Sequence, residues 1–133
     1  MRTLIIGMLA GLAMTAIADE APVLRQGLWD YKRTVDAGGD KSQTYTTQEC
    51  VDPSQGMKEQ NEMMTQAGCK VSPVTRSGNV YSFTLDCVLQ GITMKSKSVI
   101  TVENDSAYRI DVDALHDGKT TKEVLVARRT GDC

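Results

Sequence analysis

The stretch CKVSPVTRSGNVYSFTLDC, Cys69 to Cys87, constrains the fold of this chain more than any other. Its second arm alternates, with Tyr81, Phe83, Leu85 and Cys87 on one face and Val80, Ser82, Thr84 and Asp86 on the other. That period of two is the mark of a strand with one buried side. Ser77-Gly78-Asn79 supplies a turn, so the stretch predicts a β-hairpin. A three-residue loop that puts Val71 on the face of Leu85 also sets Cys69 opposite Cys87, within reach of a disulfide. Pro73 cannot donate to a ladder, and it predicts an edge strand or a bulge in the first arm.

The chain carries four cysteines, Cys50, Cys69, Cys87 and Cys133. In an exported chain an even count reads as two disulfides, and counting alone allows three connectivities. The hairpin register selects Cys69 with Cys87, which leaves Cys50 with Cys133. Cys133 then staples a terminus that would otherwise fray. Zinc fits poorly, because its ligands come in closely spaced pairs and His116 is the only histidine. No metal and no cofactor is expected.

Export is predicted from MRTLIIGMLAGLAMTAIADE, with Arg2 as a short basic region, an apolar run from Leu4 to Ile17, and small residues at Ala16 and Ala18. Residues 1–18 read as a signal peptide cleaved after Ala18, which predicts a periplasmic protein with no stable membrane anchor after cleavage. The apolar run falls short of the roughly 20 residues that span a bilayer. Residues 19–133 then form a single disulfide-stapled β-rich domain. Of 15 basic side chains Arg2 leaves with the leader, while all 17 acidic ones stay. The resulting acidic balance argues against nucleic acid or anionic membrane as partner.

Strand patterns also cover Gly27–Val35 and Ser42–Cys50, split by DAGGDK, and Gly91–Glu103, Ala107–Leu115 and Thr120–Arg129, split by Asn104-Asp105-Ser106 and by Asp117-Gly118. One helix is expected between the second and third strands. Asp52 is a good N-cap, Pro53 suits the first turn, Gln55 completes a capping-box pattern, and Gly68 ends it. Met57, Met64 and Ala67 form its apolar stripe. The fold class is therefore mainly β: an antiparallel meander of about seven strands curled into a half-open barrel, with the helix over its mouth or flank.

Gly27-x-Trp29, TTQEC at the end of the second strand, a cysteine pair enclosing RSGN, and a closing R-x-GDC together resemble the periplasmic bacterial family of domain of unknown function 3617. The resemblance covers nearly all of the chain after the leader. It implies export, a compact mainly-β domain and the cysteine framework, and it implies no activity.

Chemistry is sparse. His116 sits in an exposed turn without an orienting partner, and two disulfides would leave no thiol nucleophile. Asp111 and Asp113 share a face, and the register puts Lys97 and Lys122 on either side of Asp113, which reads as a solvated charge ladder. Met57, Met63, Met64 and Met94 are soft copper donors in principle and gap fillers in ordinary use.

The least bland feature is on the inner face. A two-residue turn at Asp117-Gly118 pairs Val112 with Glu123 and Ala114 with Thr121, and puts Ser98 and Ser96 in the same rows. Ser96, Ser98, Thr121 and Glu123 would then converge among aliphatics, as polar groups do in small-ligand sites. A one-residue bulge would instead turn Val124 and Val126 inward, and the cost of an unpaired buried carboxylate favours it. Two functions follow. One is a non-catalytic binding or envelope-associated module for a small ligand or an envelope protein; the other is a hydrolase or redox protein with a site of unfamiliar form.

Overall fold

The structure is a computed structural model that describes residues 21–38 and 41–133. The leader and its cleavage site lie outside the described residues. In chain order the elements are β1 (Gly27–Asp36), β2 (Ser42–Val51), α1 (Pro53–Gln66), β3 (Lys70–Val71), β4 (Thr75–Ser77), β5 (Val80–Leu89), β6 (Ile92–Asn104), β7 (Ala107–His116) and β8 (Lys119–Gly131).

Successive strands from β5 to β8 pair as antiparallel neighbours, β1 pairs with both β2 and β8, and the sheet runs β2-β1-β8-β7-β6-β5-β3, with β4 also on β5. Pairing of the first strand with the last curls the meander, but β2 and β3 do not meet. The result is a half-open barrel, and α1 is the segment that joins its two free edges.

Eight strands form, because the first arm of the Cys69–Cys87 hairpin is broken in two. Gly78 and Asn79 make a two-residue turn, with Ser77 opposite Val80, where the sequence predicts three residues. Further down, Val71 faces Leu85, so the arm gains one residue on its partner between β3 and β4. Pro73 sits in that interval without an N–H to donate. Ser72 repairs the ladder, its N–H donating to Thr84 O at 2.9 Å and its hydroxyl accepting from Thr84 N at 2.8 Å. The shorter turn and the bulge cancel, and Cys69 still falls opposite Cys87. The two are bonded, with Cα atoms 4.2 Å apart. The other bond joins Cys50 to Cys133, Cα atoms 5.6 Å apart.

The helix is anchored at both ends. Asp52 accepts from Gln55 N at its N-cap, although the Gln55 side chain turns to Glu59 rather than completing a capping box. Ser54 Oγ accepts from Leu24 N at 2.9 Å and donates to Pro22 O at 2.7 Å, fastening the N-terminal segment to the first turn. At the far end Cys69 N donates to Met64 O and Gly68 N to Thr65 O, the paired bonds of a Schellman close. Disulfide-bonded Cys69 follows at once, so that end of the helix is tied to β5.

One end of the barrel is plugged. Trp29 is fully buried among Leu24, Tyr81, Ile100, Tyr108 and Ala127, with its ring 5.3 Å from that of Tyr108. Its indole N–H donates to Arg25 O at 2.9 Å. The seam beside it explains Gly27: a Cβ there would lie 2.5 Å from Gly131 O and collide with the Arg129 side chain. Arg129 in turn donates to Gln26 O and pairs with Asp132. Substituting Gly27→Ala forces this backbone contact apart, and a loss of about 1–3 kcal/mol is expected in a urea titration, as for other overpacked sites. An unchanged midpoint would show that the seam relaxes freely.

Candidate functional site

The inner face follows directly from strand alternation. Across the sheet, one row reads Val35, Glu123, Val112, Ser98 and Phe83, and the next row toward the plug reads Arg33, Leu125, Ile110, Ile100 and Tyr81. The plug buries only the far end. Tyr31, Phe83, Ile110 and Leu125 pack against it yet stay only partly buried, because their other side lines the open part of the barrel. The concave face and α1 therefore bound a cleft of about 1570 Å³. The helix faces it with Met57, Asn61 and Met64, and the apolar sheet residues form the opposite wall. Ala67, the third member of the expected stripe, is exposed.

Three of the four converging polar residues line this cleft: Ser96, Ser98 and Glu123. Thr121 shares their face, opposite Ala114, but lies outside the wall. The bulge that would have rotated Glu123 outward does not form, and Val112 faces Glu123 in an unbroken ladder. The carboxylate is not unpaired: Arg33 on β1 forms an ion pair with it. That hydrogen bond raises the Arg33 pKa further above its already high ordinary value, so the guanidinium stays charged. Arg33 was legible only as a charged residue interrupting the Trp29, Tyr31, Val35 alternation, and its partner depended on the β1–β8 pairing.

Ser98 is buried, at 8% exposure, and Ser96 is half-buried. Among the described residues neither hydroxyl has a hydrogen-bond partner, yet neither is sealed from the cleft. Each can both donate and accept. Deeper in, the phenols of Tyr31 and Tyr108 interact with each other. Burial raises both phenol pKa values above the ordinary 10.0, and for Tyr108 the interaction with Tyr31 raises it again. A raised folded value means that the folded state holds the proton more tightly. The stabilisation is complete below about pH 10 and is lost as pH climbs from there through the folded values. Alkaline unfolding followed by circular dichroism should therefore set in above about pH 10, together with a late phenolate absorbance from this pair. Ordinary ionisation of Tyr31 and Tyr108 in the folded protein would contradict the assignment.

The other singled-out residues do not gather into a site. His116 ends β7 opposite Lys119 and is exposed. Asp113 lies between Lys97 and Lys122, with Lys122 Nζ 3.9 Å away, and Asp111 takes two bonds from Arg109 at 3.0 and 2.9 Å. Met57 and Met64 face the cleft, Met63 is 65% exposed, and Met94 stands beside Cys87.

An open antiparallel barrel, plugged at one end, strapped by two disulfides and bridged by one helix over a half-apolar cleft, defines a small disulfide-stapled β-domain. A family model described as protein of unknown function (DUF3617) matches residues 24–133, and the chain belongs to that family. Neither a curated protein nor a solved structure matches. The two disulfides suit an oxidising, exported location. Among the described residues no helix is long and apolar enough to cross a membrane.

Proposed function

We propose that this protein is a non-catalytic periplasmic binding module, exported by a leader cleaved after Ala18, that holds a small amphipathic ligand between the concave sheet and α1. The observation that carries the reading is a cleft that no side chain of the described residues fills. A domain of this size gains stability by filling its interior, yet here apolar side chains on β5, β7 and β8 remain half-buried around about 1570 Å³. Ligand pockets are built this way, from apolar walls with a few placed polar groups. The volume exceeds the roughly 300–1,000 Å³ of drug-sized sites and suits an acyl chain.

Protein isolated from the periplasm should show, in a native mass spectrum, a species heavier than residues 19–133 that loses the added mass on denaturation. Bare protein that also fails to take up dodecyl amphiphiles would remove the proposal. In that case weight passes to docking of an envelope protein along β2, whose residues are exposed from Ser42 to Cys50 and whose outer edge is unpaired among the described residues.

A further inference from the structure

We infer that the cleft selects an amphiphile with an uncharged, hydrogen-bonding head group, such as a hydroxyl, ester or amide, and discriminates against fatty acids and alkylammonium ions of the same length. The inference rests on the binding function proposed above and adds the ligand class.

Arg33 and Glu123 already neutralise each other in the wall. A carboxylate head could reach Arg33 only by displacing Glu123, and the displaced carboxylate would remain nearby. The other charges in the lining increase that penalty, since Arg33 and Lys58 stand against Glu49, Glu62 and Glu123. A cationic head meets the opposite difficulty: it can reach the outer lone pairs of Glu123 only close to the Arg33 guanidinium, a like charge, while the ligand excludes water from between them. The Arg33 side chain is 54% exposed and that of Glu123 28%, so breaking the pair costs less than in a buried site, and the penalty grows with the water that the ligand removes. An anionic head breaks the pair and a cationic head is repelled by Arg33 beside it, whereas a neutral head leaves the pair intact and carries no charge against either partner.

What the wall offers a neutral head is Ser98 and Ser96, two residues apart on β6 with both side chains turned into the cleft. Glu123 lies in the row of Ser98, two strands away across Val112, or about 10 Å at the usual strand spacing. A glycerol-sized head bridges that distance, donating to the outer lone pairs of Glu123 and exchanging bonds with the serine hydroxyls. Its chain then runs over Phe83, Ile110 and Leu125 toward Tyr31 and the Trp29 plug, the apolar end of the cleft.

The test is calorimetric titration of the mature protein with monododecanoylglycerol, dodecanoate and dodecylammonium, each below its aggregation threshold at neutral pH. The glyceride should bind about ten-fold more tightly than either ion, the worth of one or two net hydrogen bonds. The double variant S96A/S98A, checked for native circular dichroism, should lose most of that margin while its affinity for the ions stays unchanged. Glu123→Gln frees Arg33 and should shift the preference toward dodecanoate. Equal or tighter binding of dodecanoate by the unaltered protein, or no effect of the serine substitutions, would overturn the ligand class and leave the binding function standing. Failure of all three amphiphiles to bind would overturn both.

Discussion

Replacing Trp29 with alanine should cost about 3–5 kcal/mol, the range for removing a large buried aromatic side chain. Domains of this kind hold only about 5–15 kcal/mol in all, so the loss is a large fraction of the total. Trp29 is 0% exposed and forms the centre of the plug, against Tyr108 on one side and with Leu24 and Ala127 in the same cluster. Its N–H also occupies the carbonyl of Arg25, so truncation both opens a cavity and leaves that carbonyl without its partner. Trp29→Phe keeps an aromatic ring, smaller and without the N–H, and should cost about 1–2 kcal/mol. Urea titrations of both variants, read by far-ultraviolet circular dichroism, separate the two contributions. A Trp29→Ala loss under about 1.5 kcal/mol would mean that the plug reseals without the indole.

The alternation that places Trp29 inside also made most of the sheet legible. Tyr81, Phe83, Leu85 and Cys87 face inward as their period of two requires, and Asp113 sits between Lys97 and Lys122 because a two-residue turn at Asp117-Gly118 admits one register. Asp117 and Gly118 both have positive φ, 48° and 74°, which is the conformation that such a turn demands. Two features were not legible, for different physical reasons. The interruption at Pro73 is visible as a residue that cannot donate, but whether it widens the turn or bulges the arm depends on Ser72 supplying a hydroxyl to Thr84. The pairing of β1 with β8 joins segments about a hundred residues apart in sequence. Neither segment holds a local signal of the other, so the partner of Glu123 stayed hidden and its carboxylate looked too costly to turn inward.

The candidate site and the residues that carry the family likeness overlap only at Thr47 and Glu49 of TTQEC, which line the cleft from β2. Gly27, Trp29, Arg129 and Gly131 meet at the seam and plug, and the cysteine of TTQEC is the anchor for the last residue of the chain. Ser96, Ser98, Glu123 and Arg33 belong to none of those motifs. The family pattern in this chain thus specifies mostly scaffold, while the polar residues that converge in the cleft from β1, β6 and β8 are brought together only by the three-dimensional register.

That scaffold depends heavily on the Cys50–Cys133 bond. Cys50 on β2 lies opposite Leu28 on β1, which in turn faces Gly131 at the end of β8, so Cys133 reaches back across β1 to hold the edge strand. Its two cysteines are 83 residues apart in sequence, against 18 for Cys69 and Cys87. Loop-closure entropy assigns about 4.5 kcal/mol to the long bridge and about 3 kcal/mol to the short one, with the nested pair contributing less than their sum. Exposure orders their chemistry as well. Cys50 and Cys133 are both exposed, whereas Cys69 and Cys87 are buried. Under native conditions a mild phosphine reductant followed by alkylation should therefore label positions 50 and 133 first, and label 69 and 87 only as the protein unfolds. The double variant C50S/C133S should lose about 4 kcal/mol in urea, with β2 and its hairpin to β1 showing the earliest amide exchange, since β2 has no neighbour on its other side among the described residues. Equal labelling of all four cysteines, or a double variant as stable as the unaltered protein, would mean that the seam between β1 and β8 holds the barrel without the staple.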